Sequence, residues 1–351
     1  MFEENNLILK EIQNSEEIGS ELIFSDNKLY SIEKKYINVW DCISFKHLKK
    51  INSLNNENVS LIYIYQEKLF STYERKSYMS NNIIHIRNKN NYDLIFTIKS
   101  VTSRIDSMCV WNNKLYCNTT NNIKVFSLDN YLYLDNINTH YSHDIFKKIK
   151  SYLPESFEYL SLLEITNHNN LLLKLQIHNN NLYCINSNYN NTNKDEILEI
   201  DLISNKLKNI FKIHDQDNSI SSYTVSNNII YMGTLSCGYI ESKIFAYNLL
   251  DGSYLFNIYS GYNDCEINNI LIYQDNLLFT ITKHPVFNND YYQELPIVIY
   301  DLIQRKINNK LYSRNKDFKK KYESIYSILI ANECIFFCNF LDSINVYHKA
   351  K

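Results

Sequence analysis

Seven times along the chain, two polar residues lead, one position later, into an aliphatic–aromatic dyad. The instances are "DNKLYS" at Leu29, "QEKLFS" at Leu69, "NNKLYC" at Leu115, "NNNLYC" at Leu182, "NNIIYM" at Ile230, "DNLLFT" at Leu278 and "NECIFF" at Ile335. Those aliphatic positions are 40, 46, 67, 48, 48 and 57 residues apart. Self-similarity at this interval marks stacked supersecondary units, each too small to bury its own apolar face.

Every echo keeps the same company. An apolar run precedes it ("ELIF", "SLIYIY", "IDSMCVW", "LLLKLQI", "SSYTV", "NNILIY", "SIYSILI"), too short for a helix and rich in β-branched and aromatic residues. Asn and Asp between run and echo suit a tight hairpin, because they tolerate left-handed backbone angles. A third strand follows: "INVWD", "IIHIR", "IKVFS", "ILEID", "KIFAYN", "IVIYD", "INVYH". After most of these come a short turn and a fourth strand, with Asp251-Gly252 a strong hairpin signal. Each unit thus reads as four strands, a to d. The seventh lacks its strand d, while "NNLILKEI" stands unpaired at the other end. Pairing the two removes exposed sheet edges. The expected units span 20–51, 59–98, 105–137, 171–213, 219–258, 266–313 and 323–351, closed by strand 5–12, in one domain over 1–351.

This organisation resembles the WD-repeat (WD40-like) β-propeller family over nearly the whole chain. The motifs are degenerate: the Trp-Asp dipeptide appears only as Trp40-Asp41, against Phe126-Ser127, Ile200-Asp201, Tyr247-Asn248, Tyr300-Asp301 and Tyr347-His348 in other units. The resemblance implies an all-β, seven-bladed propeller. It also implies a protein-interaction role, as an adaptor or substrate receptor in a larger complex.

The a–b and c–d turns are short, so the extra length falls in the b–c loops (73–82, 186–196, 234–242, 282–296) and in the d–a connections 138–159 and 314–322. Within the insertion 138–165, "HDIFKKIKSYL" aligns Ile145, Phe146, Ile149 and Leu153 on one helical stripe ended by Pro154, predicting a short helix between units three and four. Loops on a rigid scaffold are favoured binding sites. Tyr73, Arg75, Tyr239, His284, Phe287, Tyr291 and Tyr292 are the candidate partner-binding residues, with Lys319 and Lys320 from the basic stretch "RNKDFKKKY". Tyr and Arg combine large contact area with a polar handle.

Composition narrows the rest. With 38 acidic and 36 basic residues there is no global field for nucleic acid, and the basic stretch has few interleaved aromatics. No run approaches the ~18 apolar residues of a membrane helix, so no membrane insertion is expected, and the acidic start "MFEENNLILK" is not read as a signal peptide. Eight scattered cysteines without a C-x-x-C pair fit free thiols in a reducing cytoplasm. No phosphate loop, nucleophile elbow or zinc motif is present, and His140 with His143 lacks further ligands. The sequence therefore points to a non-enzymatic scaffold without cofactor or metal. The alternative is a propeller enzyme whose polar site is assembled from different blades.

Overall fold

The computed structural model describes residues 7–14, 18–54, 57–74, 82–101, 105–119, 122–138, 170–188, 195–204, 206–213, 219–235, 241–263, 265–283, 296–311, 325–339 and 343–349. They are all-β, a β-propeller-like set of antiparallel four-stranded meanders, with no helix among the described residues. The expected helix at 143–153 lies outside them. The chain divides into two compact units, one of Met1–Tyr78, Ile83–Thr97 and Asp217–Lys351, the other of Met79–Asn82 and Ile98–Gln216.

In the larger unit, the first sheet runs β2 (Ile18–Ser25), β3 (Lys28–Glu33), β4 (Tyr36–Asp41) and β5 (His47–Asn52). The second runs β6 (Asn58–Tyr65), β7 (Lys68–Glu74), β8 (Asn82–Asn88) and β9 (Leu94–Val101), its margins crossing into the other unit. The smaller unit holds the third and fourth sheets. These are β10 (Ile105–Trp111), β11 (Lys114–Thr119), β12 (Asn122–Ser127) and β13 (Tyr133–Asn138), then β14 (Asn170–His178), β15 (Asn181–Asn188), β16 (Glu196–Asp201) and β17 (Lys206–Lys212).

The larger unit resumes with an eight-stranded sheet of β18 (Ser219–Ser226), β19 (Ile229–Leu235), β20 (Glu241–Asn248), β21 (Tyr254–Asn263), β22 (Cys265–Tyr273), β23 (Asn276–Lys283), β24 (Ile297–Asp301) and β25 (Lys306–Leu311). The last sheet comprises β26 (Ile325–Ala331), β27 (Cys334–Asn339) and β28 (Ser343–Lys349), and its fourth strand is β1 (Leu7–Asn14) from the other end of the chain. β1 lies antiparallel to β28 from Leu7↔Lys349 to Asn14↔Ser343, as the unpaired strands at the two termini predict.

Burial explains why the b-strand echo is the loudest signal in the sequence. β3 and β4 are buried at four successive positions, on both faces, while β5 is exposed at five of six. A strand covered on both sides needs a continuous apolar run rather than alternation. In the larger unit the core lies between consecutive sheets. Tyr30, Ile37 and Val39 of the first sheet pack on Val59, Ile62 and Leu69 of the second. Phe336, Ile344 and Val346 of the last sheet pack on Leu29 and Trp40 of the first. Each such side chain stabilises by about 1.5–3 kcal/mol.

The turns repeat as faithfully as the strands. In the a–b turns, Asp26-Asn27, Asn112-Asn113, Asn179-Asn180, Asn227-Asn228 and Asn332-Glu333 carry positive φ at both residues, the mirror-image geometry that matches strand twist. In the c–d turns, the last residue of strand c accepts from the turn's own amides. Asp41 Oδ1 receives Ile43 N and Ser44 N at 3.1 and 2.6 Å, Asp201 receives Ile203 N at 2.7 Å, and Asp301 receives Gln304 N at 2.7 Å. Asn88 and Asn248 do the same, and Ser127 does so through its hydroxyl. Those bonds hold the Asp41, Asp201 and Asp301 carboxyls below their ordinary range. The next residue's amide reaches back to the a–b turn, as in Cys42 N to Asn27 O at 2.9 Å and Leu202 N to Asn180 O at 3.0 Å. Each a–b turn so tied lies beside the c–d turn of its own sheet.

Candidate functional site

An open concavity among the described residues lies in the smaller unit, where the third and fourth sheets bring their turns together. It is a groove of about 610 Å³ lined by Trp111, Asn112, Lys114, Asn180, Leu202 and Ile203. Trp111 ends β10 and its ring N–H donates to Asn180 Oδ1 at 3.1 Å, fixing the indole as one wall. Leu202, buried, forms the floor, and Ile203 stands 72% exposed at the rim. Lys114 is the lining's single charge, and its side chain makes no hydrogen bond or ion pair with another described residue.

The equivalent junction between the first and second sheets is built from the same positions and is plugged. Ser25, Asp26, Glu67 and Lys89 stand there in place of Trp111, Asn112, Asn180 and Leu202. Lys89 is buried, with its Nζ on Asp26, 3.5 Å from Ser25 Oγ and 4.0 Å from Glu67 Oε1. The Lys89 ammonium is the main reason the Asp26 carboxyl stays below its usual range. Lys28, the counterpart of Lys114, sits 5.8 Å from the Tyr92 ring. One junction is therefore filled by a lysine and its carboxylates. The other has a short leucine and two amides, and stays open.

Two buried polar groupings could be mistaken for catalytic sites. Glu199 on β16 is fully buried and takes hydrogen bonds from Tyr183 Oη and Lys208 Nζ, each at 2.9 Å, and from Asn209 Nδ2 at 2.6 Å. A buried carboxylate satisfied by three donors ties together the strands they come from. Burial, then the charge of Asp195, pushes Glu196 up to about 7, while Lys212 Nζ at 2.8 Å favours its charged form. No group of three or more His, Cys, Asp or Glu residues able to hold a metal occurs among the described residues.

Of the residues singled out from sequence, Tyr73 is withdrawn as a contact residue. β7 runs on through Glu74, so Tyr73 is a strand residue opposite Val59 and Ile83 rather than the start of a loop. It is 1% exposed, its hydroxyl accepts from Ser71 Oγ at 2.9 Å, and its ring meets His85 edge-on at 4.6 Å. Burial, followed by the nearby Arg87 charge, brings His85 down to about 4. Arg75, Tyr239, His284, Phe287, Tyr291, Tyr292, Lys319 and Lys320 lie outside the described residues.

Sequence reasoning missed the groove. One signal was available: Trp111, one of two tryptophans, closes a strand where other units have Ser25, Tyr65, His178, Ser226, Tyr273 or Ala331. A second recurrence was also legible only in part. Ile43, Ile203, Leu250 and Ile303 occupy one and the same c–d turn position and are 71, 72, 78 and 73% exposed. Asn90 and Asp129 fill that position elsewhere, so the turn itself does not require an apolar residue.

No protein-family model matches the chain, and no curated protein sequence matches it. Solved structures do match. One is the crystal structure of the computationally designed Ika8 protein, with a TM-score of 0.60 at 10% identity, covering 96% of this chain and 98% of that one. The likeness is one of fold alone.

Proposed function

We propose that the protein is a non-enzymatic interaction scaffold that binds protein or peptide partners in a reducing cytoplasm, as an adaptor or substrate receptor. Its fold in this reading is a seven-bladed propeller of degenerate WD-repeat type, closed by the N-terminal strand. Support for seven blades comes from the eight-stranded sheet, two four-stranded meanders whose ladders meet, among the described residues, at the single pair Leu235↔Glu266. Support for the WD kinship comes from Trp40, whose ring N–H donates to Ser31 Oγ at 3.2 Å. The seven described cysteines are free and buried, which fits a reducing compartment.

The observation that carries the binding role is the exposed apolar turn position at Ile43, Ile203, Leu250 and Ile303. Single exposed apolar residues are ordinary on a surface. Their recurrence at one position the fold leaves free to be polar is not. The loop-rich face expected from the sequence, with Arg75, Tyr239, His284, Phe287, Tyr291, Tyr292, Lys319 and Lys320, is the second surface of this reading, supported by the three aromatics within "FNNDYY".

Affinity capture of the full chain from its native lysate, followed by measurement of stoichiometry, is the test. A stoichiometric protein partner is expected. Its retention should fall about tenfold either in an Ile43→Ser, Leu250→Ser, Ile303→Ser variant or in a Phe287→Ala, Tyr291→Ala variant. Substrate turnover by the isolated chain, with no stoichiometric partner, would replace the scaffold by the enzyme alternative.

A further inference from the structure

We infer that the groove between the third and fourth sheets is a docking site for an extended peptide that presents a carboxylate next to an apolar side chain. This rests on the scaffold reading above and gives it a location and a ligand chemistry. Three features select the ligand. The lining carries a single charge, the Lys114 ammonium, which no other described residue neutralises, so the complementary ligand is anionic. Trp111 and Ile203 face the same space over the Leu202 floor, offering an aromatic wall and an aliphatic rim to one apolar side chain. Asn112 adds an uncharged amide to the lining, and Asn180 another whose oxygen is already engaged by Trp111, suiting the alternating donors and acceptors of a peptide backbone.

The space, about 610 Å³, is an open surface groove rather than an enclosed cleft. Ile203 at 72% exposure leaves one side of the groove open to solvent. The plugged counterpart shows that openness is a property of these residues and not of the fold. The same positions in the first and second sheets hold Asp26 and Lys89 in contact, filling the junction with an internal ion pair. At the third and fourth sheets that internal ion pair is missing, and Lys114, the counterpart of Lys28, is left as the charge that an incoming carboxylate would meet.

The counterpart also supplies the decisive variant. The plug variant, Asn112→Asp with Leu202→Lys, places the Asp26–Lys89 residue types at the equivalent positions, beside Trp111 and Asn180 rather than Ser25 and Glu67. Phage-displayed random peptides are selected against the full chain, and the enriched peptides are titrated into fluorotryptophan-labelled protein. The chain has two tryptophans, and Trp40 is buried in the core, so the Trp111 resonance reports the groove by itself.

The expected result has three parts: a selected consensus pairing Asp or Glu with an apolar residue, a shift confined to the Trp111 resonance, and affinity weakened about tenfold or more in the plug variant and in Lys114→Glu. Lys114→Glu, a substitution at a half-buried strand end, should keep the parent melting temperature and carries the test if the plug variant does not fold. No enriched peptide, or enriched peptides that keep their affinity for Lys114→Glu, would overturn the inference while leaving a partner bound elsewhere intact. An equal Trp111 shift from isovalerate at the same concentration would also overturn it, making the groove a small-acid site.

Discussion

Gly233 sits on β19 where the two halves of the eight-stranded sheet come closest, and replacing it with alanine tests how that junction is held. A Cβ there would lie 2.8 Å from Ile267 Cγ2, 2.8 Å from Ser222 Oγ and 2.9 Å from Ile270 Cδ1, from two different directions of the packing. Ile267 and Ile270 are buried in the cluster that fills this junction, so neither has free volume to move into. Ser222 Oγ donates to Ile267 O at 2.6 Å, as does Ser221 Oγ, and displacing it strains the link from β18 to β22. Overpacking a tight core costs about 1–3 kcal/mol, and a damaged buried hydrogen bond about 1 kcal/mol more. Gly233→Ala should therefore destabilise by about 2–4 kcal/mol. At roughly 2–4 °C per kcal/mol for a body of this size, the melting temperature falls by about 5–15 °C. Thermal and urea unfolding of the full chain, with Gly233→Ala combined with Ser222→Ala as a partner variant, measure it. The double variant should recover part of the loss, because one of the three close contacts disappears. If Gly233→Ala melts within about 1 °C of the parent, the close approach of β22 does not select glycine, and the steric argument fails.

Gly252 offers the contrasting case: its φ is +70° and nothing lies within 4 Å of an added Cβ, so Gly252→Ala should cost only about 1 kcal/mol of backbone strain, read in the same melts. The turn carboxylates set an acid limb. Asp41, Asp201 and Asp301 have folded pKa values below their ordinary 3.8. Their stabilisation is complete above that ordinary value and is lost as pH falls through the lower folded value. A triple Asp→Asn variant, which keeps the turn bonds as Asn88 and Asn248 do, should match the parent's urea midpoint at neutral pH and lose less of it under acid. Deleting Met1–Ile12 removes most of the β1–β28 ladder and exposes the edge of the last sheet, so several hydrogen bonds worth about 0.5–1.5 kcal/mol each are lost. Aggregation in size-exclusion chromatography or a lowered melting temperature is expected, and an unchanged melt would show that the ladder contributes little.

The repeat was legible in the sequence because its causes are local. A b strand buried on both faces demands an unbroken apolar run, and the two-residue turn before it demands residues such as Asn112-Asn113 that accept positive φ. Even the pairing of the chain termini could be read, since one unit lacked a strand and one strand lacked a unit. The c–d aspartates were visible in sequence as the residues aligned with Asp41 of the Trp40-Asp41 dipeptide, but their work as caps of their own turns was not. Tyr73 read as the start of a loop because nothing in "TYERK" marks where β7 stops; its packing against Val59 of the neighbouring strand decides that. The groove and its plugged counterpart were out of reach for a deeper reason. Asp26 meets Lys89, and Trp111 meets Asn180, only because consecutive sheets stack with their turns together. Periodicity along a chain encodes which face of a strand is buried. Whether a junction between two sheets is filled or open depends on the volumes and charges of residues that the sequence keeps more than 60 positions apart, and only their packing brings them into one place.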